Sequence, residues 1–223
     1  MKHVLIDISG VFCQESFGLD AEFGALSLGT VDLTGLEGTN CYCSEEAAKV
    51  IRAKVEELPV RSICWTDTGD YHYLSYFRGS CIREPFELVL LDNHTDDFDL
   101  AGTLSCGNWV SALRRGPMCL RSTLVRSRAD VAPAICGSQV PVFLSIDLDV
   151  LRPEDFRTNW DQGSMAFGDL LGIIESLASS RRIVAIDICG GITESKGATP
   201  SDLALNLRQR QRLANFLQKI FAE

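Results

Sequence analysis

Six short, mostly apolar runs recur along this chain, and what separates several of them reads as helix. The runs are Val4–Ile8, Val60–Trp65, Phe86–Leu91, Met118–Val125, Pro141–Ile146 and Ile183–Ile186. A strand with one face in water alternates polar and apolar residues, whereas one that is apolar at nearly every position needs cover on both faces. Between the runs, Ser44 is placed to cap a helix through Leu58, with Ala47, Val50, Ile51, Val55 and Leu58 on one face and Pro59 as the stop. A short helical stretch precedes Phe86. Phe167, Leu170, Leu171, Ile174 and Leu177 repeat at helical spacing. Ser201 is expected to cap a long last helix whose apolar face includes Leu203, Leu207, Leu213, Leu217 and Ile220. Buried strands joined by helices imply an α/β chain with a mostly parallel sheet and helices on both faces. No linker, repeat or low-complexity segment breaks the pattern, so residues 1–223 are expected to form one domain.

A chain of this size buries roughly 70% of its unfolded surface, so it needs no disulfide or structural metal to stay folded. The formal charge of −9 argues against nucleic acid or an anionic membrane as the main partner, which leaves a small molecule. A homo-oligomer is compatible with the sequence, which does not fix the oligomeric state. No apolar run approaches the roughly 20 residues of a membrane span. Met1-Lys2-His3-Val4-Leu5-Ile6-Asp7 is too short and too soon acidic for a secretory signal. The nine cysteines are odd in number, form no CxxC pair and fall partly in apolar stretches, where a reduced Cys is a small hydrophobe. A reducing cytoplasm is their natural setting. Cys41-Tyr42-Cys43 could hold a metal, but no second pair lies nearby.

Two of the apolar runs end in carboxylates. Leu88 to Leu91 leads into Asp92-Asn93-His94-Thr95-Asp96, and Phe143 to Ile146 leads into Asp147-Leu148-Asp149. Side chains alternate faces along extended chain, so Asp92, His94 and Asp96 are expected to point one way, and Asp147 and Asp149 another common way. In open α/β sheets the site lies beyond the carboxyl ends of the strands, where these groups fall. Converging carboxylates repel and raise one another's pKa, a conflict that a divalent cation resolves. Oxygen ligands with imidazoles suit Mn²⁺ or a similar ion such as Fe²⁺, Co²⁺ or Zn²⁺. A solvated acidic loop would explain one such run; a second Asp-x-Asp after an equally apolar strand argues for a site.

These residues resemble the ureohydrolases, the family of arginases, agmatinases and formiminoglutamases. Asp92-x-His94-x-Asp96 resembles the family's Asp-x-His-x-Asp motif, and Ser145-x-Asp147-x-Asp149 its Ser-x-Asp-x-Asp motif. Gly69-Asp70-Tyr71-His72 resembles its Gly-Gly-Asp-His segment with one extra residue before the His. The resemblance extends more weakly from about Pro59 to the C-terminus. It implies a three-layer α/β/α, arginase-like fold and a two-manganese centre. By motif position Asp92 and Asp147 would bridge the ions, His72 and Asp96 would complete one ion's ligands, and His94 and Asp149 the other's. A hydroxide shared by the ions would attack a C–N carbon of a small guanidino, amidine or amide compound.

The departures from that pattern bear on substrate. Arginine-hydrolysing members carry a proton-shuttling His after the Asp-x-His-x-Asp loop, and Cys106 stands there in this sequence. A Cys could move protons if nearby cations depressed its pKa, or it could be an inert packing residue. The family's guanidinium-gripping Glu falls at Gly190, three residues after Asp187. Glu194 could swing in instead or be an ordinary loop carboxylate. The Asn that reads an amino acid's carboxylate is replaced by Asp97-Phe98. Asp161 could contact a cationic substrate, and Asn108 and Trp109 could line the site; each has a surface-loop or packing alternative.

Three other readings compete. Leu5-Ile6-Asp7-Ile8-Ser9-Gly10-Val11 resembles the nucleophile loop of haloacid-dehalogenase-type phosphatases, but Ser9 replaces the second Asp that their acid–base chemistry needs. Deacetylases share the ureohydrolase fold but use adjacent histidines, which are absent among the three His of this chain. A non-catalytic metal-binding or regulatory protein would keep the ligands without the substrate groups.

Overall fold

A computed structural model describes residues 1–17, 29–99, 102–136 and 139–221. The six apolar runs become β1 (Lys2–Asp7), β4 (Ser62–Trp65), β5 (Phe86–Leu91), β7 (Cys119–Val125), β8 (Val142–Asp147) and β9 (Ile183–Cys189). With β2 (Gly29–Asp32) they form one seven-stranded sheet in the order β2-β1-β4-β9-β8-β5-β7. Every pairing in it is parallel. Two further strands, β3 (Tyr42–Cys43) and β6 (Leu104–Ser105), make a small antiparallel pair of their own.

The central strands β4, β5, β8 and β9 are buried along their whole length, with cover on both faces, whereas the edge strands β7 and β2 are partly exposed. Leu88 and Leu90 of β5 join one hydrophobic cluster, while Val89 and Leu91 join the other. The first cluster takes its helical part from α2 (Glu45–Glu56), α3 (Leu74–Ser80) and α4 (Trp109–Arg114), which follow the four-residue α1 (Val11–Gln14). The second is covered by α5 (Ala132–Ile135), α6 (Phe167–Ser180) and α7 (Pro200–Ile220). The layers are therefore α/β/α.

Local signals explain most boundaries, with two corrections. Ser44 caps α2 by accepting from the Ala47 amide at 3.1 Å, and Ala47, Ile51 and Val55 are buried. Val50 does not share that face: it stands 42% exposed. The last helix is capped by Thr199, not Ser201. Thr199 and Asp202 exchange side-chain-to-backbone bonds in a capping box. Pro200 occupies the first helical position, where its missing N–H costs nothing.

The inner face of α7 is also less apolar than expected. Asn206, Gln209 and Arg210 are buried there. Arg210 donates through Nε to Glu15 and through Nη2 to the Gly190 carbonyl. Its guanidinium lies 5.1 Å from the Phe12 ring centroid and 5.3 Å from that of Phe156. Charge on both partners and aromatic faces around the cation make this burial tolerable.

Candidate metal centre

Four parallel strands, β4, β9, β8 and β5, lie side by side, and the chemistry-bearing residues collect beyond their carboxyl ends. Asp92 is the first residue past β5. The following chain is not extended. The His94 amide turns back to donate to Asp92 Oδ1 at 2.6 Å, and Asp96 adopts a left-handed conformation with φ of 47°. Asp147 likewise accepts from the Asp149 amide at 2.9 Å as the backbone enters a 3-10 turn over Leu148–Val150. Alternation along extended chain is thus not what makes these carboxylates converge. Short Asp side chains bond the backbone two residues on and fold each motif into a turn.

His72 arrives after the 3-10 turn Gly69–Tyr71 that follows β4. Its Nε2 lies 3.0 Å from Ser145 Oγ on β8, and its ring rests 4.8 Å from that of Trp109. The other nitrogen, Nδ1, faces Asp96 Oδ2 at 2.9 Å, Asp147 Oδ2 at 3.3 Å and Asp92 Oδ2 at 3.4 Å. His94 Nδ1 faces Asp149 Oδ2 at 2.8 Å and Asp92 Oδ1 at 3.7 Å. The geometry holds two overlapping triads, His72–Asp92–Asp96 and Asp92–His94–Asp149, each with its ligand atoms within 4.8 Å of one another. Asp92 belongs to both. A third triad, His72–Asp147–Cys189, adds a thiol at the end of β9. Cys189 lies beside Asp147 in the sheet register, and it was not singled out from the sequence because it reads as one more apolar strand residue.

The electrostatics are those of several acids crowded into a buried space. Burial, then the charges of Asp96, Asp147 and Asp149, push the Asp92 carboxyl well above its ordinary range. Burial and Asp149 push Asp147 up to about 7. Hydrogen bonding to Asp149 raises His94 to about 9. Burial opposes charge on His72, but its bond to Asp96 and the charges of Asp147, Asp96 and Asp149 outweigh it. Most telling, Asp92 Oδ2 is buried and accepts no hydrogen bond among the described residues. His72 Nδ1, 3.4 Å away and shared with Asp96 and Asp147, is the one cationic group facing it among the described residues, so four carboxylates converge on little positive charge. Two imidazoles and four carboxylates around it are a donor set that fits divalent cations.

A cavity of about 500 Å³ opens above these groups, lined also by Cys41, Tyr42, Phe98, Cys106, Gly107 and Trp160. Cys106 is on its wall, yet the thiol is pushed up to about 12 by burial and by Cys41, Asp96 and Asp70. That upward shift is opposite in direction to the one proton shuttling would call for. Asn108 does not face the cavity. Its Oδ1 accepts from the Ser105 amide at 2.7 Å and its Nδ2 donates to the Thr103 carbonyl at 3.0 Å, so it holds the loop. Trp109 instead reaches the site, donating Nε1–H to Asp96 Oδ2 at 2.7 Å. Asp161 is 83% exposed with Oδ1 3.0 Å from His94 Nε2, which places it behind a ligand and not on the cavity wall. Glu194 is exposed in the turn Glu194–Lys196 and is not among the cavity's lining residues. No side chain fits where a guanidinium-gripping Glu would stand. A Cβ on Gly190 would lie 3.0 Å from both Asp147 Oδ1 and Leu148 Cβ, at φ of +110°. Asp187, three residues earlier, is buried against Arg78 at 3.3 Å.

No family model matches the chain. A stretch of 136 residues is 30% identical to a Thermotoga maritima protein described only as uncharacterized, covering 55% of this chain and 55% of that one. The match thus spans about half the length of that relative. Solved structures match over nearly the whole chain. Proclavaminate amidino hydrolase from Streptomyces clavuligerus superposes with a TM-score of 0.69 at 12% identity, over 100% of this chain and 92% of its own. Arginase from Bacillus caldovelox gives 0.66 at 12%, over 100% and 98%. Agmatine ureohydrolase of Thermoplasma volcanium gives 0.63 at 14%, over 99% and 92%. At these identities the likeness is one of fold, and the fold is that of the ureohydrolases.

Proposed function

We propose that this chain, on its ureohydrolase fold, is a metal-dependent hydrolase of a small non-peptide C–N compound, with two divalent ions, Mn²⁺ first among them, held by His72, Asp92, His94, Asp96, Asp147 and Asp149. The observation that carries this reading is the buried Asp92 Oδ2, which accepts no hydrogen bond among the described residues and stands at the meeting point of two His–carboxylate triads. Asp92 would serve both ions, since its two oxygens face different histidines. His72 would bind through Nδ1 because Ser145 engages Nε2, and His94 through Nδ1 because Asp161 engages Nε2. Such outer partners fix the tautomer and aim of a ligating imidazole. Trp109 restrains Asp96 in the same way. The chemistry that two such ions supply is Lewis-acid activation of water near neutral pH. Arginine is a poor candidate substrate, because the space beside Asp147 is closed at Gly190 and the Glu194 carboxylate stands away from the cavity. Nine free cysteines agree with a reducing cytoplasm as the setting. Among the described residues no helix is long and apolar enough to cross a membrane.

Metal analysis and turnover test the reading together. Protein reconstituted with Mn²⁺ should hold close to two equivalents, and Asp147→Asn should lose metal and activity alike. Ammonia or urea release should appear on at least one member of a guanidino, amidine and amide panel. Well under one equivalent of metal after reconstitution overturns the centre. Full loading with no metal-dependent turnover on the panel favours a binding or regulatory protein.

A further inference from the structure

We propose that the compound taken by this centre carries an uncharged apolar body, such as an aromatic ring, and no carboxylate; this rests on the hydrolase reading above. Phe98 and Trp160 stand at the cavity 64% and 37% exposed, yet both are held in place. Phe98 donates its amide to the Gly107 carbonyl at 3.0 Å, and its ring lies so close that a Cβ on Gly107 would come 3.2 Å from Cδ2. Trp160 donates its indole N–H to Asp70 at 3.0 Å, packs edge-on to His94 at 5.8 Å, and covers Gly69, where a Cβ would come within 2.6 Å of it. Gly69 and Gly107 are thus the clearances that admit these rings. Tyr42, 58% exposed, completes an aromatic rim. Fixed rings facing water at the mouth of a cavity are the usual lining of a site for an apolar group.

Away from the ions, the cavity offers an anionic body no cationic side chain. Among the described residues no Lys or Arg lines the cavity, and its floor is Asp92, Asp96, Asp147 and Asp149. The ammonium of Lys196, in the turn after β9, is taken by Asp70 at 3.1 Å. Cys41 and Cys106 have both thiols raised by burial, so they add neutral sulfur to the walls. Aromatic faces also attract cations, but the exposed carboxylate that could assist one, Asp161, is already engaged by His94.

The test uses hydroxamates, which chelate the ions whatever the rest of the molecule is. Binding to Mn²⁺-loaded protein is measured by calorimetry for acetohydroxamate, benzohydroxamate, succinic monohydroxamate and a trimethylammonium-bearing hydroxamate. Benzohydroxamate should bind about tenfold tighter than acetohydroxamate, and the carboxylate-bearing probe more weakly than either. Phe98→Ala should bring the ring preference down to about threefold or less, with Mn²⁺ content measured beside it as the check on an intact centre. Equal binding of the aryl and methyl probes, or tightest binding of the carboxylate or ammonium probe, overturns the inference. Absence of binding by every hydroxamate overturns the metal reading and this inference with it. A ring preference in a protein that turns nothing over keeps the ligand class and removes the hydrolysis.

Discussion

Gly190→Ala probes the tightest point beside the centre. Gly190 follows β9 at φ of +110°, a conformation that an L side chain rarely adopts. Holding alanine there costs on the order of 1–2 kcal/mol in backbone strain. The added methyl would sit 3.0 Å from Asp147 Oδ1, Leu148 N and Leu148 Cβ, all in the buried turn that carries two ligands. Displacing that turn costs on the order of another 1–2 kcal/mol. The total of about 3 kcal/mol corresponds to a fall in Tm of roughly 6–12 °C for a domain of this length. Thermal unfolding of metal-free wild type and variant at one pH measures it. A parallel Mn²⁺ titration should show affinity down about tenfold or more, because Asp147 moves with Leu148. A Tm within about 1 °C of wild type, with unchanged metal affinity, would refute the steric argument. Gly190→Glu, which supplies the side chain of the arginine-hydrolysing pattern, should be at least as destabilising and confer no arginine turnover.

Further outcomes follow from the same geometry. Asp147 titrates near 7 instead of near 4 and His94 near 9 instead of 6.5, so the folded metal-free protein binds more protons than the unfolded chain across that range. Its stability should therefore fall as pH rises from about 4 to 9, and the Tm gain on adding Mn²⁺ should be larger at pH 8 than at pH 6; a gain that shrinks with pH contradicts the assignment. Ser145→Ala removes the partner of His72 Nε2 and should weaken Mn²⁺ about 10–100-fold in a competition titration with a fluorescent chelator. Arg210→Ala strands a buried Glu15 and should cost on the order of 3–5 kcal/mol in denaturant unfolding, most of it recovered in the double variant Glu15→Gln/Arg210→Met.

The strands that frame the centre were legible because burial on both faces leaves a continuous apolar signature. Gly29–Asp32 carries no such run and is mostly exposed at the sheet edge, and the two-residue strands Tyr42–Cys43 and Leu104–Ser105 are too short to show one. The six candidate ligands were legible as a set, since residue type and spacing mark them. Alternation along extended chain predicts their convergence for the wrong reason: it comes from Asp-to-backbone bonds that depend on φ values a sequence does not display. Asn108 and Asp161 illustrate the other limit. Both are polar residues close to the motifs in sequence, and only the path of the loops decides that one ties its own turn while the other backs a histidine. Arg210 was invisible for a related reason: a charged residue on a helix reads as solvent-facing until a partner 195 positions away is brought against it.

The order of strands has a consequence in time. His72 follows β4 and Asp147 ends β8, but those strands are not neighbours; β9, the last strand of the sheet to be synthesised, lies between them. A nascent chain that has emerged as far as Asp149 already carries all six ligands, yet the central slot of the sheet is still vacant. With Ile183–Cys189 in that slot, His72 Nδ1 and Asp147 Oδ2 lie 3.3 Å apart. On the proposed reading, metal loading would be a late event that reports completion of the sheet, and a ribosome-bound chain stalled before Ile183 should bind Mn²⁺ no better than an unstructured acidic peptide.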